Sequence, residues 1–287
     1  MHFVLANTDQ TQQKWDALVK KHNASVFSTS AYLNAVSTSW MILYNNDETE
    51  GIACPFTRKM GVNFLVSPFF FRYVEWVGTT DKLSEAIPHL QAQFQVCDLS
   101  VNSVISDVQK RYQVLEPNTL KLNQQAKRSL AKAANFAVQD FWSPKELITL
   151  IREELNPRIS TLNHQTDYFL AQLIKSHQAL AIRQLNLLKG ETWQGGIWLL
   201  ETEKVVYYLK GTVKAEAKKN GGMYLLIQEA ITQAHQTSKT FDFGGSDVEN
   251  VRRFNLNFGG EDVFYGQMQW NHAPWWWKIA RWLKNRF

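Results

Sequence analysis

Toward the end of this 287-residue chain, a carboxylate, a phenol and several cationic groups stand on short segments punctuated by paired glycines. In FDFGG (241–245), Phe241 and Phe243 alternate with Asp242, so a strand there puts the rings on one face and the carboxylate on the other. Asp242 can partner a substrate amine or accept its proton, but its plainest use is to cap the turn made by Gly244 and Gly245. VVYYLKGT (205–212) carries Tyr207, Tyr208 and Lys210 on a strand, where one tyrosine points out and can line a cleft. The ordinary strand preference of tyrosine explains the pair equally well. Arg252 and Arg253 offer two planar forks suited to phosphate or carboxylate, or form a solvated pair beside Phe254 and Phe258. Lys218, Lys219, Gly221 and Gly222 directly precede a helical pattern, where free N–H groups and the helix dipole attract an anion. A plain tight turn is the alternative, since the spacing matches neither a P-loop nor a dinucleotide fingerprint.

Other chemistries find little footing. The seven histidines form no i, i+4 pair and no HxH or HExxH motif, no serine lies in GxSxG, and Cys54 and Cys97 are not in a CxxC. Neither a metal site nor a disulfide framework is expected. The formal charge is +5, and Lys278, Arg281, Lys284 and Arg286 in the last ten residues carry most of that excess. A globally basic nucleic-acid surface is therefore not required, though local patches leave RNA contact open. No apolar run reaches the length of a membrane span, and MHFVLANTDQ has neither the basic start nor the apolar core of a secretory signal, so a cytoplasmic location is expected.

The elements that must position these groups read as two rounds of an α/β pattern. Strand patterns at 2–7, 40–45, 51–59, 63–78, 95–100 and 110–117 enclose helical ones at 11–22, 26–39 and 81–94. Pro88 should kink the last helix. A second round follows: helices at 122–136, 144–155, 167–180 and 223–238 among strands at 137–142, 181–190, 192–202, 204–213 and 241–245. Pro117-Asn118 marks the seam, giving domains 1–118 and 119–270 and a terminal helix 271–287. In that helix Trp275, Trp276, Ile279, Trp282 and Leu283 form an apolar stripe opposite the four basic residues, fit either to dock on the body or to lie in a membrane interface.

FDFGGSDVENVRRFNLNFGGE (241–261) resembles the strand-loop-helix signature of the FemABX-like branch of the GNAT acyltransferase superfamily. NASVFSTSAYLNAV (23–36), residues 111–138 and the helix leading into FDFGG are similar to further parts of that family, so the resemblance covers most of the chain. It implies an α/β fold of two tandem GNAT-like domains, each a mixed, mostly antiparallel sheet flanked by helices, with the active cleft at the second. It also implies N-acyl transfer from acyl-CoA or aminoacyl-tRNA, used as a co-substrate with no tightly bound cofactor. The acceptor is then an amine on a cell-envelope or peptidoglycan-type precursor, lipid-linked or nucleotide-linked, reached at the inner membrane face; another small-molecule amine is the alternative.

Phe254 matches the family's aromatic, and Phe258, Gly259 and Gly260 its closing Phe-Gly-Gly. Asn255 stands where the family usually has lysine. Losing a charged donor at a developing oxyanion costs on the order of 2–4 kcal/mol, so Arg252 or Arg253 takes its place or the chemistry differs. Within that frame our expectation is that Asp242 or Tyr208 orients the amine, Arg253 contacts the anionic donor and Asn255 acts only as a neutral hydrogen-bond donor, with Lys210, Gly244, Gly245, Arg252 and Phe254 at the substrate and Lys218, Lys219, Gly221 and Gly222 at the donor. A binding protein that keeps the fold without catalysis is the reading Asn255 invites.

Overall fold

In the computed structural model, which describes residues 1–103, 109–155, 163–245, 248–277 and 279, the elements follow the apolar periodicity of the chain. The first are β1 (His2–Leu5), α1 (Asp9–Lys21), α2 (Ser30–Val36), β2 (Trp40–Tyr44), β3 (Gly51–Lys59), β4 (Val62–Val66), β5 (Trp76–Val77), α3 (Leu83–Gln93) and β6 (Val96–Val101). Thr8 caps α1 by accepting the Thr11 N–H, with Asp9 in the first turn and Lys20 and Lys21 in the last, each at the favourable end of the dipole. Pro88 is accommodated inside α3, whose Leu83, Ala86 and Leu90 are buried. The run 63–78, expected as one strand, stops at Val66. Pro68 has no N–H for a ladder and Phe70 takes φ +61, so the chain loops out before β5.

The chain continues through β7 (Gln109–Leu115), α4 (Gln124–Lys132), β8 (Ala137–Asp140), α5 (Pro144–Leu155), α6 (Asn163–Lys175), β9 (Ile182–Lys189), β10 (Thr192–Glu201), β11 (Val205–Val213), α7 (Ala215–Lys219), α8 (Gly222–Gln236), β12 (Thr240–Gly245), α9 (Glu249–Leu256) and β13 (Glu261–Asn271). Two compact units result: residues 1–110 with 264–287, and residues 111–263. This division falls a few residues before the Pro117-Asn118 seam, because β7 pairs with β12 of the second unit, and the segment after Val263 rejoins the first unit.

Each unit is a mixed, mostly antiparallel sheet flanked by helices. In the first, the strand order is β1-β2-β3-β4-β6-β13, with β5 on β3; in the second it is β8-β9-β10-β11-β12-β7. Each order contains one parallel pair at the same place, β4 with β6 and β11 with β12. The sixth strand is exchanged in sequence: β7 follows β6 in the chain but pairs with β12, while β13 follows β12 and pairs with β6. Alternation along β2 sends Trp40, Ile42 and Tyr44 into a cluster with α1 and α2, and Met41 and Leu43 into a cluster with α3. Both faces of that sheet are thus covered. The second unit packs Leu226, Ile227, Ala230, Ile231 and Ala234 of α8 on Leu185, Leu187, Ile197, Leu199 and Val206, burial that contributes about 1.5–3 kcal/mol per large side chain.

The terminal tryptophans divide. Trp277 is 9% exposed and packs on Val62, Phe64 and Ala273, whereas Trp275, Trp276 and Ile279 are 74%, 41% and 50% exposed. The remainder of the expected stripe and its basic side, Lys278, Arg281, Trp282, Leu283, Lys284 and Arg286, lies outside the described residues.

Candidate active site

Parallel strands normally stay paired along their common length, and β11 and β12 do not. They pair at Val205↔Thr240, Val206↔Phe241 and Tyr207↔Asp242, and among the described residues no pairing joins them further on. β11 continues for six more residues on β10, where a bulge makes Trp198 face Lys210 and Leu199 face Tyr208, leaving Leu209 as the extra residue. Past Tyr207, β11 is therefore followed on β10 alone among the described pairings, and the two parallel strands part at the bulge. Gly244 sits at the parting with φ +81, and a Cβ there would lie 2.9 Å from the Tyr208 carbonyl oxygen. Only glycine satisfies both conditions.

Unit 1 shows the same parallel pair, and there the edge beyond it is hydrogen-bonded. β4 and β6 also pair at three positions, but past Asp98 the edge of β6 is occupied: Ser67 N–H donates to the Asp98 carbonyl, Ser100 N–H to Ser67 Oγ, and Val74 N–H to the Ser100 carbonyl. In unit 2 the two parallel strands part after their third pair.

The sequence-derived residues distribute unevenly around this parting. Asp242 is 4% exposed, and its Oδ1 accepts the Gly244 N–H at 2.9 Å, so the carboxylate holds the turn as spacing suggested. Tyr208 donates its phenol proton to the Gly211 carbonyl of its own strand at 3.1 Å, which lays the ring along the bulged stretch. Lys210 is half-buried beside it. Gly245 ends β12 opposite Tyr112, after a register shift that begins at Asp242.

Helix α9 points its polar groups elsewhere. Asn255 is 3% exposed, and its amide donates to Gln113 Oε1 at 2.8 Å. Gln113 in turn donates to Asp262, which receives two guanidinium N–H groups of Arg252, the shorter at 2.6 Å. The Arg252 guanidinium holds the Asp262 carboxyl below its ordinary range. Asn255 and Arg252 thus tie α9 to β7 and to the start of β13. The expected hydrogen-bond role of Asn255 toward substrate has no geometric support, since its amide faces Gln113. Arg253 differs: its side chain is 72% exposed and is steadied by Glu249, which also receives Arg111. Gln113 and Asp262 escaped the sequence reading because nothing in a single chain marks a polar pair 149 residues apart.

Phe254 meets α8. Its ring stands edge-on to Tyr224, in the first turn of α8, at 4.7 Å, and Tyr224 Oη accepts the Asn257 amide. Gly221 takes φ +78 as the N-cap of α8 and offers no side-chain cap for the first N–H groups. Its glycine is demanded by packing: a Cβ would lie 2.0 Å from the Ser129 carbonyl oxygen of α4, and one on Gly222 would lie 2.4 Å from Leu187. Lys218 and Lys219 are exposed in the last turn of α7, not in a loop.

Other reactive groups belong to unit 1. Cys54 and Cys97 are buried free thiols in unit 1, with burial pushing Cys97 up to about 12 and raising Cys54 as well. Among the described residues no cluster of His, Cys, Asp and Glu is placed to hold a metal.

Solved structures share the fold: FemX aligns with a TM-score of 0.59 over 94% of this chain and 98% of its own, at 11% identity. The fold is the FemX-like, tandem GNAT fold. L-PGS from Bacillus licheniformis aligns at 0.54 over 91% of this chain and 92% of its own, with 12% identity. A tandem GNAT protein from the clavulanic acid biosynthesis pathway aligns at 0.53 over 95% and 99%, with 9% identity. No family model and no curated protein matches the chain. At such identities what this chain shares with these structures is the fold, and the chemistry of its site rests on its own residues.

Proposed function

We propose that unit 2 is an N-acyltransferase that moves an aminoacyl or acetyl group onto an amine. The observation that carries this reading is the parting of β11 from β12 at the Leu209 bulge, which separates two parallel strands at one point, with Gly244 held at the parting by Asp242. In the reaction, the lone pair of a neutral amine attacks the donor carbonyl and a C–N bond forms. The C–S bond of a thioester or the C–O bond of an aminoacyl ester breaks, and the proton lost by the amine ends on the departing thiol or hydroxyl. Backbone N–H groups of β11 past Tyr207 hold the carbonyl oxygen as it gains charge. Tyr208 supplies a phenol at the same stretch. Asp242 acts as a positioning residue that fixes Gly244, and Arg253, with its exposed guanidinium, meets the anionic donor.

The donor in this proposal is acyl-CoA or an aminoacyl-tRNA, taken against the first turn of α8 near Gly221, Gly222, Lys218 and Lys219. The acceptor is an amine-bearing envelope precursor. A second reading, binding without turnover, is favoured by one observation: Asp242 and Asn255 both direct their side chains to partners inside the protein.

The test combines calorimetry and turnover on the purified protein, with acetyl-CoA and with an aminoacylated RNA minihelix. Transfer to an amine by one donor, reduced about tenfold or more by Tyr208→Phe or Arg253→Ala with unchanged melting temperature, supports the proposal. Tight binding of a donor with no transfer to any amine leaves the binding reading. Binding of neither overturns both.

A further inference from the structure

We propose that unit 1 carries a docking surface for an anionic lipid bilayer, built from the β3–β4 hairpin tip and the start of the terminal helix. This inference does not depend on the reaction assigned to unit 2.

The hairpin closes through Met60 and Gly61, with φ +49 and +76, the two positive values of a two-residue turn. Asparagine or glycine usually fills the first of these positions. A long apolar side chain gains nothing for folding there, yet Met60 stands 68% exposed at the tip. Arg58 and Lys59 beside it are exposed as well. Lys59 pairs across the hairpin with Val62, and cross-strand partners share a face of the sheet. Val62 is the residue on which Trp277 packs, together with Phe64, whose ring centroid lies 5.2 Å from that of Trp277. Residues 275–277 are thereby fixed next to the hairpin tip.

Anchoring Trp277 leaves Trp275, Trp276 and Ile279 turned to solvent on the same short segment. Two tryptophans, an isoleucine and a methionine held out of the core, with arginine and lysine beside them, form the amphipathic combination that partitions into the headgroup region of a bilayer. Charge names the kind of lipid. Residues 263–287 contain four Lys or Arg and no Asp or Glu, so the whole terminal segment is complementary to anionic headgroups. Among the described residues no helix is long and apolar enough to cross a membrane.

The experiment is co-sedimentation of the full chain with vesicles of phosphatidylcholine alone and of phosphatidylcholine mixed with phosphatidylglycerol. The expected result is binding to the anionic vesicles, weakened by salt, with a blue shift of tryptophan emission. The double variant Trp275→Ser/Trp276→Ser should lose about tenfold or more of that binding, and Arg58→Gln and Lys59→Gln on the order of fivefold each. All four residues replaced are solvent-exposed, so melting temperatures should match the parent. Equal binding to neutral and anionic vesicles, no binding to either, or binding unchanged by these substitutions overturns the proposal. So does a dimer in solution that Trp275→Ser/Trp276→Ser dissolves, which would assign the face to a second copy.

Discussion

Asn255 occupies a position where lysine was expected on resemblance, and its surroundings explain why an amide suits it. It is buried against Gln113, an amide that donates onward to Asp262, so the chain from Asn255 to Arg252 is satisfied link by link. Asn255→Ala leaves Gln113 Oε1 unpaired and should cost about 1–3 kcal/mol in urea denaturation. Asn255→Lys forces an ammonium into the same place and should cost about 3 kcal/mol or more. A lysine variant as stable as the parent would mean that residue 255 faces open space. The sequence showed Asn255 on a helix beside paired arginines, but its facing was not legible, because the partner that decides it stands 142 residues upstream. Asp242 was more readable: the glycines that create the turn follow it directly, and the cap is a local bond.

Elements were legible in proportion to how local their causes are. Helix α8 follows the helical spacing of its apolar face, and FDFGG reads as a strand that ends at its glycines. β13 was not foreseen, because its alternation is masked by Gln267, a buried amide that accepts from Ser100 Oγ. Pattern reading takes such a residue for a surface position. The glycine pair before α8 read equally as phosphate cradle or tight turn, and the packing of α4 now gives it a structural cause independent of any ligand. Two glycines separate the conformational cost from the packing cost. Gly190→Ala, at φ +58 with nothing within 4 Å of the new Cβ, should cost about 1 kcal/mol. Gly221→Ala has a similar φ and also meets the Ser129 carbonyl at 2.0 Å, so it should cost about 2 kcal/mol more than Gly190→Ala. Equal losses for the two in chemical denaturation would show that α4 does not close over Gly221.

At the scale of the whole molecule, the two rounds of helices and strands were visible in the sequence, while the exchange of their sixth strands was not. Pairing partners of β6 and β12 are set by which apolar face completes which sheet, and no local signal at Pro117-Asn118 records that choice. The exchange has a direct consequence for cutting the chain. A fragment 1–118 keeps β7 but lacks β13, so β6 loses the partners it has from Gly266↔Val101 to Asn271↔Val96 and presents an open edge. A fragment 119–287 keeps β13 but lacks β7, so Phe241 and Asp242 lose Leu115 and Val114, and Asn255 loses Gln113. Leu115 and Met268 are also core residues, of the second and the first unit respectively, so each cut removes buried apolar area along with ladder hydrogen bonds. Each fragment alone should therefore show little cooperative unfolding by circular dichroism and should bind hydrophobic dye. Mixing the two should restore a single folded species, because together they hold every strand. A fragment 1–118 that unfolds cooperatively by itself would show that β13 is dispensable to the first sheet.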